Sequence, residues 1–355
     1  MDFLEQFSSA EITLGLGLLT GLVFGAFAQQ SRFCLRAATV EFWRGKAGDR
    51  FSIWLFTFAT ALLLTQLLIY FQLLERTSVR QLSTVGSMSG AIIGGSLFGI
   101  GMIMARGCAS RLLVLSATGN LRALVAGLVV TVVSQAALRG VLSPAREEIS
   151  TWWTVQSSTR DLANYLPDAV PILMALALLV AAVLLARKHG VKQWHKLGAV
   201  MVGAAVAMGW GLTAWHASFS FDIVPVKSVS FTGPAADTLM GLINMPTIPL
   251  SFDIGIVSGV FAGSFFAAWL SGEFKIQSFN EQTGLSRYLI GAVLMGFGGM
   301  LAGGCAVGAG VSGGAVMAST AWIALLSMWI SAGLTDRVLD YRPESASTAV
   351  PQAAR

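Results

Sequence analysis

The segment IGGSLFGIGMIMARGCA at residues 93–109 recurs as IGAVLMGFGGMLAGGCA at residues 290–306. Aligned on Cys108 and Cys305, the two copies are identical at nine of seventeen positions, and four of the nine shared residues are glycines. Both copies are too apolar for a water-exposed surface. A duplicated apolar segment of this kind is typical of membrane proteins built from two related halves around a central site.

The composition assigns the whole chain to a membrane. Hydrophobic residues make up 55% of the sequence and charged residues 12%, and the mean hydropathy is +0.70. The sequence contains no polar stretch long enough to fold as a soluble domain. We therefore predict an all-α polytopic membrane protein, with residues 1–355 forming a single integral domain in the lipid bilayer.

The charges and cysteines exclude several classes of function. The net charge of +5 comes from cations at the ends of apolar stretches, so no nucleic-acid partner is expected. The cysteines, at positions 34, 108 and 305, lack metal-ligand spacing, and we predict neither a metal site nor a disulfide scaffold. The sequence implies no cofactor, and it contains no GxxxxGK[ST] loop for direct coupling to ATP.

About nine apolar stretches are long enough to cross a bilayer. Two repeat-like halves, at about 11–142 and 197–334, are predicted to be joined by residues 143–196. The predicted spans are 11–30, 51–74, 86–105, 121–142, 170–187, 197–215, 250–270, 286–303 and 312–334.

The distribution of lysine and arginine predicts the orientation of the chain. With the N-terminus outside and the C-terminus in the cytoplasm, the cytoplasmic side carries seventeen of these cations and the external side six. The two glycine-cysteine segments would then run in opposite directions across the membrane. This predicts an inverted repeat in which Cys108 and Cys305 face each other near the midplane.

A second, weaker glycine pattern does not follow this inverted arrangement. Glycines recur every four residues in the spans 11–30 and 250–270, which the topology predicts to be parallel. The pattern is either coincidental helix packing or a sign that the span count is wrong. The glycines concerned are Gly17, Gly21, Gly25, Gly255, Gly259 and Gly263.

The stretches after Cys108 and Cys305 are too short or too glycine-rich for ordinary spans. We predict re-entrant loops followed by half-helices, because irregular backbone at membrane depth must line a cavity or be buried in protein. Exposed backbone N–H groups in such loops suit a small anion. The candidate binding residues beside the two cysteines are Arg106, Gly107, Arg111, Gly303, Gly304 and Gly308.

Cys34 has no counterpart in the second half of the sequence. It follows Gln29 and Gln30 at the end of a span, and Arg32 and Arg36 flank it. Their positive charges would attract an anion. We predict that Cys34 is a third, cytoplasmic-side binding station, separate from the symmetric pair.

Three motifs together resemble those of the YeeE/YedE family of bacterial inner-membrane proteins. They are GAFAQQSRFCLRAA at 25–38, GIGMIMARGCASRL at 99–112 and GFGGMLAGGCAVGAG at 296–310. The resemblance implies a helical bundle with short helices bent toward the membrane centre. It also implies import of thiosulfate or a related sulfur compound along a path marked by Cys34, Cys108 and Cys305.

The leading functional hypothesis is therefore a thiosulfate permease rather than an enzyme. A cytoplasmic sulfurtransferase that consumes the imported anion is the expected partner. One alternative is a membrane redox or sulfur-transfer protein that uses a cysteine persulfide or disulfide, which would require a second thiol within about 6 Å of the first, Cα to Cα. Another is a non-selective channel or a packing subunit of a larger complex.

Overall fold

The computed structural model describes residues 8–167, 169–244, 246, 249–277 and 284–340. Sixteen α-helices, two short 3-10 helices (Arg76–Ser78 and Leu162–Tyr165) and one two-stranded sheet, β1 (Gly86–Ser87) with β2 (Thr154–Val155), are assigned among them. The helices are α1 (Ser9–Ser31), α2 (Leu35–Trp43), α3 (Asp49–Tyr70), α4 (Arg80–Ser83), α5 (Met88–Met104), α6 (Ala109–Ala117), α7 (Leu121–Arg139), α8 (Ser143–Thr151), α9 (Ser157–Arg160), α10 (Ala169–Lys188), α11 (Gln193–Phe219), α12 (Thr232–Asn244), α13 (Phe252–Leu270), α14 (Leu285–Leu301), α15 (Gly313–Ala315) and α16 (Ser319–Leu339). A π-helix occupies Ala306–Ser312.

The prediction of an all-α polytopic membrane protein is confirmed. Within the described ranges, eight helical segments are long and apolar enough to cross a membrane, one fewer than the nine predicted. The ninth predicted span, 312–334, corresponds to α16, which begins only at Ser319 and is not among the eight. Residues 312–318 instead belong to the buried irregular segment that precedes it.

Helices α1 and α13 pack backbone to backbone through the second glycine pattern. A Cβ atom on Gly21 would lie 2.5 Å from the carbonyl oxygen of Ile256, and Gly17 and Gly25 face Phe252 and Val260 in the same way. Because the contacts advance in the same direction along both helices, α1 and α13 are parallel. Small residues permit this approach, and dispersion contacts stabilise it in lipid. The glycine pattern therefore marks a genuine helix contact.

Helices α5 and α14, which carry the duplicated segment, pack antiparallel. A Cβ on Gly94 would lie 2.6 Å from the carbonyl oxygen of Gly298, and one on Gly291 would lie 2.7 Å from that of Gly101. Cys108 and Cys305 consequently follow opposite ends of this helix pair. An inverted repeat that covers both complete halves stays a prediction.

Two ion pairs mark one face of the bundle, which we call the inner face. Arg44 pairs with Asp336 at 2.9 Å, and Arg287 pairs with Asp340 at 2.8 Å, so that the end of α2 and the start of α14 meet the end of α16. The positive-inside distribution predicts that this face is cytoplasmic. The opposite face, at the start of α5 and the end of α14, is called the outer face.

We expect Gly21→Ala to destabilise the protein by about 1–3 kcal/mol, the usual cost of overpacking. The added methyl group would meet the backbone of α13, which has no flexible group to move aside. Gly15→Ala is the matched control, because a Cβ on Gly15 has no neighbour within 4 Å. Thermal unfolding of the detergent-purified variants measures the difference, and equal stability of the two variants would contradict the proposed packing.

Candidate sulfur-anion site

The same backbone turn precedes each of the three cysteines. Two residues before each cysteine the chain adopts the left-handed conformation, with φ of 55° at Arg32, 55° at Arg106 and 82° at Gly303. The next residue donates its N–H to the carbonyl five positions back, as in a Schellman helix ending. These bonds are Phe33 to Ala28 at 3.2 Å, Gly107 to Met102 at 3.1 Å and Gly304 to Gly299 at 2.7 Å.

Each cysteine then begins a short helical element. Cys34 precedes α2, Cys108 precedes α6 and Cys305 precedes the π-helix, and all three have extended backbone. Their carbonyl oxygens accept hydrogen bonds from the N–H groups four residues ahead, on Ala38, Leu112 and Ala309. Cys34 therefore has the same local geometry as the other two. The glycine-cysteine repeat does not predict this third copy, although the shared spacing Arg-x-Cys at 32–34 and 106–108 indicates it.

The side chain of Cys34 lies beside that of Cys108. The two thiols are close neighbours, and the Cys108 sulfur is 3.3 Å from the hydroxyl oxygen of Ser110. All three cysteines are free; Cys108 and Cys305 are buried, and Cys34 is half-buried. Cys34 is therefore the thiol neighbour of Cys108 rather than isolated from it, and its role as a cytoplasmic-side station stays a prediction.

Cys305 occupies a different environment, at the start of a fully buried π-helix. Its sulfur accepts a hydrogen bond from the backbone N–H of Gly308 at 3.4 Å. A side chain on Gly308 would collide with Ser230, so this position requires glycine. The hydroxyl of Ser312 donates to the carbonyl oxygen of Val229 at 2.7 Å and fixes the end of the segment.

A basic cleft of about 360 Å³ opens on the outer face and reaches the turn before Cys305. Gly303 and Gly304 form part of its wall, and so does the beginning of α12 at Thr232. The Thr232 hydroxyl is buried and has no hydrogen-bond partner among the described residues. The charged residues lining the cleft are Arg80, Arg146, Arg160, Lys227, Asp237 and Asp253, a net of two positive charges.

Hydrogen bonds hold Arg160 against the wall of the cleft. Its Nε donates to the Thr320 hydroxyl at 2.9 Å, and an Nη donates to the carbonyl oxygen of Thr84 at 3.1 Å. Burial, followed by the nearby charge of Arg80, lowers the pKa of Arg160 to about 10. The surrounding groups therefore do not fully stabilise the positive charge of Arg160, and an anion bound in the cleft would stabilise it.

The cleft was not predicted from the sequence, where its arginines were counted only as external cations. The sequence contains only a weak signal for this cleft. Four of the six predicted external cations line this one cleft although they are far apart in sequence: Arg80, Arg146, Arg160 and Lys227.

The predicted inner arginines, Arg106 and Arg111, occupy different places. Arg111 lies within electrostatic range of both Cys34 and Cys108, and its guanidinium donates to the side-chain oxygen of Gln29 at 3.4 Å. Arg106 is exposed and lies near Asp340 on the inner face. Arg111 therefore accompanies the paired thiols, whereas Arg106 faces solvent.

No group of three or more His, Cys, Asp or Glu side chains that could hold a metal ion is found in the described part of the chain. The polar groups around the cysteines are hydroxyls, backbone N–H groups and arginines. These groups suit the binding of a small anion.

Comparison with known proteins places the chain in a family. The model of a family described as sulphur transport matches residues 30–334. The chain belongs to the sulphur transport family. It is similar to the thiosulfate transporter TsuA of Escherichia coli strain K12, with 27% identity over 95% of this chain and 98% of that protein. It is also similar to TsuA of Spirochaeta thermophila, with 26% identity over 90% of this chain and 98% of that protein.

Membership of this family confirms the YeeE/YedE resemblance drawn from the three motifs. The matched region contains all three cysteine turns, and the two relatives align along nearly their full lengths. The chain is thus a multi-pass membrane protein of a transporter family.

We expect the equivalent glycines Gly304 and Gly107 to differ in their tolerance of alanine. A Cβ on Gly304 would lie 2.8 Å from the backbone nitrogen of Ala309, whereas one on Gly107 would meet only the flexible side chain of Leu112 at 3.3 Å. Gly304→Ala should cost about 1–3 kcal/mol, the range for overpacking. Gly107→Ala should be close to neutral. Thermal unfolding compares them, and the reverse order would refute the local geometry.

Proposed function

We propose that this protein is a permease that imports thiosulfate, or a related small sulfur anion, across the bacterial inner membrane. The observation that carries the proposal is the basic outer cleft, which ends at the Gly303–Gly304 turn before Cys305. Two relatives named thiosulfate transporter, aligned over most of this chain, support the choice of substrate. In the proposed orientation the N-terminus is outside and the C-terminus is cytoplasmic.

The cleft offers an anion a partial substitute for its water shell. A dianion entering hydrocarbon without partners would meet a prohibitive desolvation cost. Four cationic side chains surround the cleft, and the N-terminus of α12 directs its helix dipole toward the same wall. We assign Gly303 and Gly304 the role of bringing the backbone close to the anion.

The thiols provide weak contacts along the rest of the proposed path. Conduction requires binding that is favourable enough for entry and weak enough for release. A neutral S–H group is a weak, polarizable donor. The order we propose is Cys305 below the outer cleft, then Cys108, then Cys34 on the inner side, with Arg111 beside the last two and Gly107, Gly308 and Arg106 flanking the route.

A cytoplasmic sulfurtransferase is the partner that this function would require. Importing a dianion against a potential of 100 mV, negative inside, costs about 4.6 kcal/mol. Without another coupled ion, the free anion in the cytoplasm would have to stay about 2,000-fold more dilute than outside. Rapid consumption by a sulfurtransferase would maintain such a gradient.

We expect Cys108→Ala and Cys305→Ala each to reduce thiosulfate uptake by more than about tenfold, because each removes a buried polar contact on the path. Uptake of ³⁵S-thiosulfate in cells that lack other sulfur importers measures the effect, with sulfate, sulfite and selenite as competitors. Ser116→Ala on α6 is the control, since its hydroxyl bonds only to its own helix, at Leu113. Normal uptake by both cysteine variants would remove the thiol path.

We expect Arg160→Gln to raise the KM for thiosulfate by about tenfold, at the low end of electrostatic focusing, with little change in kcat. The difference from the wild type should shrink at high ionic strength, because salt screens the charge. Proteoliposome uptake at two salt concentrations provides the measurement. Lys188→Gln makes the same charge change at the far end of α10, and an equal effect in that variant would argue against a specific outer site.

The adjacency of Cys34 and Cys108 also favours a second candidate, a sulfur-transfer protein. A cysteine thiolate would attack the outer sulfur of thiosulfate, forming a persulfide and releasing sulfite with the electron pair of the broken S–S bond. Uptake of thiosulfate labelled in either the inner or the outer sulfur distinguishes the two functions. A permease accumulates both labels equally, whereas sulfur transfer retains the outer label on the protein and separates it from the inner one.

A further inference from the structure

We propose that Glu273 is the inner gate of the anion path, a tethered carboxylate that occupies the hydrogen-bond donors at the exit until a passing anion displaces it. The proposal rests on the transport function proposed above and adds a residue that controls release. Glu273 lies on the inner face, three residues after the end of α13.

Three polar contacts connect Glu273 to the paired thiols. Its carboxylate accepts a hydrogen bond from the Gln29 side-chain nitrogen at 2.9 Å and from Arg32 at 3.3 Å. The oxygen of the same Gln29 amide accepts from Arg111 at 3.4 Å. Arg111 lies within electrostatic range of Cys34 and Cys108, so it relates the thiols to these hydrogen bonds at the inner surface.

The packing of α1 against α13 determines where Glu273 lies. The two helices are parallel and in backbone contact, so their C-terminal ends emerge side by side. Gly272, with φ of 67°, ends α13, and the N–H of Glu273 then bonds to the carbonyl oxygen of Ala268 at 2.8 Å. This turn directs Glu273 toward Gln29 and Arg32 at the end of α1.

An anion leaving the thiols would need the donors that Glu273 now occupies. Arg111, Gln29 and Arg32 are the polar groups next along the network, and two of them already bind a carboxylate. A tethered carboxylate repels an approaching anion and competes for the same donors. Such competition prevents trapping at the exit, which conduction requires.

The geometry of this contact suits a gate that opens and closes. Arg32 and Glu273 are 49% and 41% exposed, and exposed ion pairs are weak. By contrast, Arg287 and Asp340 on the same face share two hydrogen bonds, both of 2.8 Å. The Arg287–Asp340 pair is a bidentate ion pair that stabilises the structure. Glu273 has one 3.3 Å contact to Arg32 and one hydrogen bond to the neutral Gln29 amide, so its contacts can break at each passage.

The test measures access to Cys34 from each side of the membrane in Glu273→Gln. Cys34 is half-buried and accompanies Arg111, so its modification reports on the exit. Membrane vesicles of both orientations are treated with an anionic methanethiosulfonate (the sulfonatoethyl reagent) or a neutral one (the methyl reagent). Cys108→Ala and Cys305→Ala in the background confine labelling to Cys34. Asp340→Asn is the matched control, since it removes a carboxylate from an ion pair on the same face.

We expect Glu273→Gln to accelerate labelling by the anionic reagent about threefold from the inner face, the scale of one exposed charge, with a smaller change for the neutral reagent. Unchanged labelling by both reagents would overturn the gate. Equal acceleration by both would also overturn it, since Glu273 would then only fill space. Acceleration in Asp340→Asn as well would assign the effect to general loosening of the inner face.

Transport kinetics distinguish a failure of the proposed gate from a failure of the proposed substrate. With the three cysteines intact, Glu273→Gln should lower both the KM and the kcat for thiosulfate, because the anion is held longer at the exit. A wild-type protein that does not move thiosulfate, combined with the selective labelling change, would refute the proposed substrate and leave an anion gate. Normal wild-type transport with no labelling change would refute the gate alone.

Discussion

The need to satisfy backbone hydrogen bonds away from water governs this structure. A chain can reverse direction within a membrane domain only where its free N–H and C=O groups find partners. The three cysteine turns meet this requirement with their own atoms, since the last carbonyls of each long helix accept bonds from the two residues that follow. The cysteine carbonyl then begins the next helical element, so each thiol lies at a fixed point between two helices.

These turns place uncommon demands on side chains. The left-handed conformation costs a non-glycine residue about 1–2 kcal/mol. Glycine meets this demand at position 303, but arginine takes the same conformation at positions 32 and 106. At position 32 the side chain also pairs with Glu273. The strained turn thus places a cation beside the inner end of the proposed path.

Close helix contacts give the two ends of the molecule different chemistry. The antiparallel pair α5 and α14 separates Cys108 from Cys305, while the parallel pair α1 and α13 brings Glu273 to Gln29. The outer face presents a cleft with a net positive charge, and the inner face presents a carboxylate held by weak contacts. From this asymmetry we propose that the anion is captured at the outer face and that its release is controlled at the inner face.

The sequence by itself determined the all-α membrane fold, the family and the three cysteines, because apolar length and short motifs are local properties. Each of its nine predicted spans overlaps a helix, although the last begins seven residues later than predicted. Only the tertiary structure decided that Cys34 adjoins Cys108, that distant arginines converge on the outer cleft and that Glu273 contacts Gln29. These contacts join residues up to 244 positions apart and depend on how closely glycine-lined helices approach one another. Charge counting and periodicity cannot supply that information, since they describe each helix alone.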